Sequence, residues 1–487
     1  MFQSTQPVNL TIDHKSRTPI YVQIVERIKS GIASGEFAVG TRLTPVRKLA
    51  VELDVSRLTV FRAYTVLQDA GLVKGAPGRG TMIAPIKNGH IAEGYLLKFL
   101  EGGPVIGFEE TSQRNNARSL ATSVADPDLF DAESWLADMF DLRKESNWLF
   151  YLPEFAGQPE MRSAGALLLR RHWPDLRDED VHVGGRHPEL MTMVGCGLIE
   201  RGSHVIVQEP QRISVEAHLT GLGYVPHGVK SDENGIDLEQ VEMLAKEHGV
   251  ACAIVEPTFG LAGGHVWPEA NRRDYLKIAA KFDIVTIERM NSLPISFVDQ
   301  VPKCLFALAP EAKTIANLEF GYTLASGISA GIRYVPQVLR EWHDEARLST
   351  GMPVDRVTQL TLAKMIRSDR YDAHFDRAIP VYRARRDALC EALKESLPEV
   401  SFSVPQGGLS VVITLPAPVD ARQLFEDSVR AGVAVMPCRF LTTRGRGDDA
   451  VRLSYSMLGP EALRQAVAQW APVLRGHLLS GRRTGTM

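Results

Sequence analysis

The chain of 487 residues has little cysteine and no pattern in it. Cys196, Cys252, Cys304, Cys390 and Cys438 stand singly, with no CxxC pair and no histidine cluster beside them. That argues against a disulfide framework or a zinc site, so no metal is expected, and it predicts a reducing, cytoplasmic setting. Long apolar runs are also missing, which excludes a membrane-spanning helix. The opening residues, MFQSTQPVNLTIDHKS, have no basic patch followed by an apolar stretch, so no signal peptide is expected. No nucleophile triad is visible, since Ser454 and Ser456 have no His or Asp nearby in sequence. What remains is 44% hydrophobic and 23% charged, the profile of a globular protein, in a chain too long for one ordinary core.

Net charge is close to balanced at −3, but it is unevenly spread. Through Ile83 there are eleven Lys and Arg against six Asp and Glu, a net +5, which leaves −8 for the rest. A basic segment on an acidic body suits phosphate binding. Within it, Ile20, Ile24, Ile28 and Ile32 recur every four residues and predict a helix with one apolar stripe. Gly35 and Gly40 end that helix, and Pro45 sits where a second one starts. Asp54-Val55 makes a tight connection, and Ser56 can cap a third helix with Val60, Ala63, Tyr64 and Leu67 on its inner face. Lys74 to Thr81 reads as a glycine-bearing hairpin. A short helix, a turn and a capped helix opening Ser-Arg is the layout that sends a recognition helix into a major groove. Ser56 and Thr59 can hold phosphates, Arg57 and Arg62 can reach phosphate or a guanine edge, and Arg79 can reach a minor groove. A small helical domain with solvated arginines shares these cues.

The blocks PIYVQI, IASGEFAVGTRL, TPVRKLA, LDVSRLTVFRAYTVLQDAGLV and GRGT, in this order and spacing, resemble the GntR family of bacterial regulators. The resemblance implies a winged helix-turn-helix over residues 14–84 that binds duplex operator DNA, with Arg47, Ser56, Arg57, Thr59, Arg62 and Gly80 near the DNA.

Residues 85–118, rich in Pro, Gly and Asn, are expected to form a linker. Beyond it, apolar runs at His204–Val207, Ala251–Val255, Ile284–Ile287 and Thr314–Ala316 alternate with amphipathic stretches and predict a parallel sheet. Segments such as YLPEFAGQPEMRSA, VEPTFGLAGG, DIVTIERMNS, TLASGISAG and VRLSYSM resemble the fold-type I aminotransferase domain of MocR-type regulators, a branch of the GntR family. The resemblance implies a large α/β domain over 119–478, with a smaller C-terminal α/β subdomain from about 350, a flexible tail at 479–487, and assembly as a homodimer.

Such domains hold pyridoxal 5′-phosphate on a lysine, and by the same resemblance that position is Tyr322. A phenol cannot condense with an aldehyde, and the nearest upstream lysine, Lys313, is nine residues away. The phosphate arginine position is Ser329, and Glu319 and Gly321 replace the flanking serines. The ring-nitrogen and ring-oxygen positions align with Glu288 and Met290, the ring-stacking aromatic with Arg212, and the phosphate turn with Arg186-His187-Pro188, whose proline has no N–H. Arg452 matches the arginine that holds a substrate carboxylate, or else forms a structural ion pair. The expectation is a DNA-binding regulator with no catalytic residues and no bound pyridoxal phosphate. Its second domain then serves as dimerisation module, altered sensor of an unidentified small molecule, or protein platform. The alternative is a pyridoxal-phosphate-dependent regulator or aminotransferase with an atypical site.

Overall fold

The computed structural model describes residues 12–13, 16, 19–33, 37, 41–69, 73–76, 80–83 and 117–484, apart from 212, 262, 351–352 and 444–446. The chain divides into two compact units, Met1–Lys98 and Phe99–Met487.

In the first unit the apolar stripe forms α1, Ile20–Ala33, and buries Ile24, Val25 and Ile28. Helix α2, Val46–Glu52, begins after Pro45, and α3 spans Arg57–Asp69. Asp54, at φ +51°, turns the chain between them, a left-handed conformation that Asp tolerates better than most residues. The Ser56 hydroxyl then accepts the Thr59 N–H at 3.1 Å, the cap its position suggests. Val60, Ala63, Tyr64 and Leu67 all point into the core, and the Tyr64 hydroxyl donates to the Thr44 carbonyl at 2.7 Å. Strands β1, Val73–Ala76, and β2, Gly80–Ile83, pair antiparallel as the wing, with Val73 opposite Ile83.

The second unit is built on an eight-stranded sheet. Its strands are β4 (Val181–Gly184), β5 (His204–Glu209), β6 (Val225–Asp232), β7 (Gly235–Ile236), β8 (Cys252–Val255), β9 (Val285–Arg289), β10 (Thr314–Glu319) and β11 (Gly331–Tyr334). They lie in the order β4-β11-β10-β9-β8-β5-β6-β7, with β10, β9, β8, β5 and β6 parallel. The four predicted strands are β5, β8, β9 and β10. Their buried, β-branched runs reflect a sheet with apolar cores on both faces. Helices between strands carry their own start signals: Asp237 accepts the Gln240 N–H at 3.0 Å, and Gly249, at φ +62°, closes the same helix.

A smaller C-terminal lobe carries the antiparallel strands β12 (Ser410–Thr414), β15 (Ala450–Ser454) and β14 (Met436–Pro437). Two details differ from the sequence reading. Arg118, placed in the linker, belongs to strand β3, Arg118–Ser119, which pairs with β13, Val433–Ala434, of this lobe. Residues 479–484, expected as a flexible tail, continue the helix Pro460–Thr484, whose apolar stripe at Leu463, Val467, Trp470, Leu474 and Leu478 packs into the main core. The linker from 85 to 116 lies outside the described residues.

Candidate functional sites

In the first unit the exposed side of α3 opens with Arg57 and continues through Leu58, Phe61 and Arg62, with Thr59 half-buried. Arg47 on α2 is exposed, and its neighbour Lys48 lies 3.8 Å from Glu52. Arg62 is not free to swing: its guanidinium carbon lies 4.2 Å from the ring centre of Tyr21 on α1. The Ser56 hydroxyl also meets the Thr59 hydroxyl at 2.8 Å, so both polar groups converge at the N-terminus of α3. Gly80 begins β2, while Arg79 lies outside the described residues, as does Arg212 in the second unit.

In the second unit the candidate site gathers at the carboxyl ends of β9 and β10, where open α/β sheets place their ligands. Tyr322 follows β10 directly, is 4% exposed, and its phenol lies 3.4 Å from the Ser123 hydroxyl. Lys313 precedes β10, about 20 Å away along six strand residues, and pairs with Asp283 at 2.7 Å. Ser329 is exposed on the turn that follows. At Gly321 a Cβ would come within 2.5 Å of the Ile328 carbonyl oxygen, so this turn has closed over the position.

The ring-nitrogen expectation is corrected by strand parity. Glu288 turns to the other face of β9, where its carboxylate accepts the Leu305 and Phe306 N–H groups at 2.8 and 3.0 Å and caps the helix Leu305–Leu308. Its burial pushes the carboxyl upward, against the pull of those N–H groups and of Arg272. Met290 is buried in the main core. The side chains facing the site are instead Arg289 and Asn291, one residue along. Arg289 stands opposite Asn317 in the sheet, is buried, and has no hydrogen-bond partner at Nε among the described residues.

Glu319, fully buried, is held by Asn291 Nδ2 at 3.2 Å and Asn317 Nδ2 at 3.4 Å. Asn317 Oδ1 accepts from Arg333 Nε at 3.0 Å, and Arg333 Nη2 reaches Glu189 Oε2 at 3.3 Å. Glu189 is the residue sequence reasoning missed. It sits in the first turn of the helix His187–Val194, where the phosphate turn was expected, and already takes the Gly185 N–H. Arg347 lies 4.0 Å from it, with its guanidinium lowered to about 10 by burial and by neighbouring Arg333. Arg452, on β15, is buried and donates to the Ala121 carbonyl at 2.6 Å.

Away from this site, His182, His343 and Asp344 bring three donor atoms within 4.8 Å of one another. Burial lowers His182 to about 2 and His343 to about 4, and nearby Arg347 adds to both shifts.

Residues 20–83 match the model of "Bacterial regulatory proteins, gntR family". Over nearly its whole length the chain is similar to the uncharacterized HTH-type transcriptional regulator YisV of Bacillus subtilis: 22% identical, covering 96% of this chain and 98% of that protein. It is also 24% identical to 2-aminoadipate transaminase of Thermus thermophilus, over 75% of this chain and 92% of that enzyme. The fold of the second unit is that of the multiple substrate aminotransferase from Thermococcus profundus, with TM-score 0.72 and 20% identity over 77% of this chain and 95% of that one. This order of parts is similar to that of MocR-type GntR regulators. A segment that matches the gntR family model thus precedes a unit with a fold-type I aminotransferase-like fold, and among the described residues no helix is long and apolar enough to cross a membrane.

Proposed function

We propose that this regulator binds a specific operator through α3 and the wing, and that its aminotransferase-like unit no longer holds pyridoxal phosphate and performs no transamination. The observation that carries the second half is Tyr322: a buried phenol occupies the position that the resemblance to fold-type I aminotransferases gives to the Schiff-base lysine. The surrounding groups agree with it. A dianionic phosphate would meet the Glu319 and Glu189 carboxylates, and Ser329 offers it no charge. A pyridine nitrogen needs a carboxylate partner, and Arg289 supplies the opposite sign. The residues therefore do not fit the cofactor.

On this reading the DNA-binding unit comprises residues 14–84, with Arg47, Ser56, Arg57, Thr59, Arg62, Arg79 and Gly80 near DNA, and the residues from 85 up to strand β3 tether it to the second unit. That second unit pairs two heads or senses an effector. Pairing is supported by the exposed apolar side chains Leu136, Phe140, Phe150, Tyr151 and Leu152, which lie within 17 residues of one another in sequence. Arg452 serves as a structural donor to the Ala121 carbonyl rather than a carboxylate ligand. Free thiols at all five cysteines suit a cytoplasmic setting. An absorbance scan of the purified protein incubated with pyridoxal phosphate and then dialysed tests the loss. We expect no band near about 420 nm, the region of a protein aldimine. A stoichiometric band surviving dialysis overturns the reading in favour of a cofactor-dependent regulator.

A further inference from the structure

We infer that Leu58 and Phe61 read thymine methyl groups, so that the operator half-site carries thymines at the positions facing the first turn and a half of α3. The inference rests on the reading of α3 as the recognition helix. Leu58 is 74% exposed and Phe61 60% exposed. They stand three residues apart and therefore share one helix face. The core-facing side of α3 is already filled by Val60, Ala63, Tyr64 and Leu67, so among the described residues the outward pair takes no part in the core of this unit.

Large apolar side chains on a helix otherwise flanked by arginines call for a partner that is anionic at its edges and apolar at its centre. Duplex DNA offers that combination in the major groove, where the 5-methyl of thymine is the one apolar group presented by any base pair. The polar neighbours fit the rim: Arg57 and Arg47 are exposed, and the segment through Ile83 carries a net +5. Arg62, the other cation on this face, is held over Tyr21. The centre of the face is thus left to Phe61, which can neither donate nor accept a hydrogen bond. A guanine or cytosine edge beneath it would lose its water without gaining a partner, which selects against G·C at that step.

The experiment uses the full-length protein. A site is selected from random duplex DNA, and its thymines are then replaced one at a time by deoxyuridine, which removes only the methyl. We expect one or two thymines per half-site at which the swap weakens binding roughly threefold to fivefold, the scale of one methyl transferred out of water. Phe61→Ala should bind the thymine and uracil duplexes equally at one of these positions, and Leu58→Ala at a neighbouring one. Because both residues are exposed, neither variant should change the thermal midpoint. If every uracil swap leaves wild-type affinity unchanged, or if Phe61→Ala keeps the full thymine preference, the inference is wrong while operator binding stands. If Phe61→Ala keeps that preference but alters the mass seen by light scattering, the face contacts a second copy and the inference is again overturned. If no site is enriched at all, the DNA-binding reading fails and takes this inference with it.

Discussion

Glu319 and Asn291 hold each other in both directions: the Glu319 N–H donates to Asn291 Oδ1 at 3.0 Å, and Asn291 Nδ2 donates to Glu319 Oε1 at 3.2 Å. The pair fixes the Glu319 side chain at the carboxyl end of β10, three residues before Tyr322, and through Asn317 it continues to Arg333 and Glu189. The site is therefore occupied by a closed polar network of its own.

Restoring one lysine should consequently not restore the cofactor. In Tyr322→Lys an amine is present, but the phosphate still lacks an arginine at 329 and faces two carboxylates. Charge-assisted hydrogen bonds contribute roughly 1.5–3 kcal/mol each, so several missing ones amount to orders of magnitude in affinity. We expect Tyr322→Lys to lose pyridoxal phosphate on dialysis, and tight retention to need Ser329→Arg and Glu319→Ser as well. Stoichiometric cofactor on the single variant, measured by absorbance after dialysis, would contradict this.

Arg57→Ala should weaken operator binding by roughly 1–3 kcal/mol if the side chain reads a base. If it holds only phosphate, the loss should be similar on all sequences and the salt dependence shallower. A salt titration by fluorescence anisotropy separates the two. Unchanged binding at every salt concentration would displace α3 from the groove.

Two solvent-facing aromatics should govern assembly. Phe150, 84% exposed, and Tyr151 follow one another in the segment that also holds Leu136 and Phe140. We expect the wild type to scatter light as a dimer at micromolar concentration and Phe150→Asp/Tyr151→Asp to shift toward monomer, with weaker binding to a two-half-site operator. A wild-type monomer with full operator affinity counts against the role of the second unit.

Acid should destabilise the second unit above the range where carboxylates titrate. His343 is lowered to about 4 and His182 to about 2, in both cases chiefly by burial, with Asp344 pulling the other way and Arg347 adding to the shift. Below pH 6.5 the unfolded chain takes up these protons and the folded chain does not. The stability they confer is thus intact above about 6.5 and falls as pH drops toward 4, by at most about 1.4 kcal/mol per pH unit for each histidine. The melting temperature of His182→Asn/His343→Asn should fall less steeply across that window. An identical slope in the variant would assign the acid sensitivity elsewhere.

Much of this was legible in the sequence, for identifiable reasons. A four-residue isoleucine spacing and a Ser-x-x-Thr start define α1 and α3 locally, and fully buried parallel strands announce themselves as apolar runs. Which face a strand residue meets is less secure, because a slip of one position reverses every side chain. That is why Glu288 was expected at the site and Arg289 was not. Glu189 escaped notice because its partner, Arg333, lies 144 residues further along, and nothing local marks it. The short pairing of β3 with β13 spans more than 300 residues and is equally silent in sequence.

That pairing also decides to which part of the second unit Arg118 belongs. Near the start of the described part of the second unit, the Arg118 N–H bonds to the Gly432 carbonyl, and its side chain donates to Gln469 and Gln465 on the last long helix. Strand β3 is thus part of the small lobe and not of the eight-stranded sheet. Any rotation of that lobe against the sheet would therefore carry β3 with it, so residues 118–119 belong mechanically to the lobe although more than 300 residues of sequence separate the two strands.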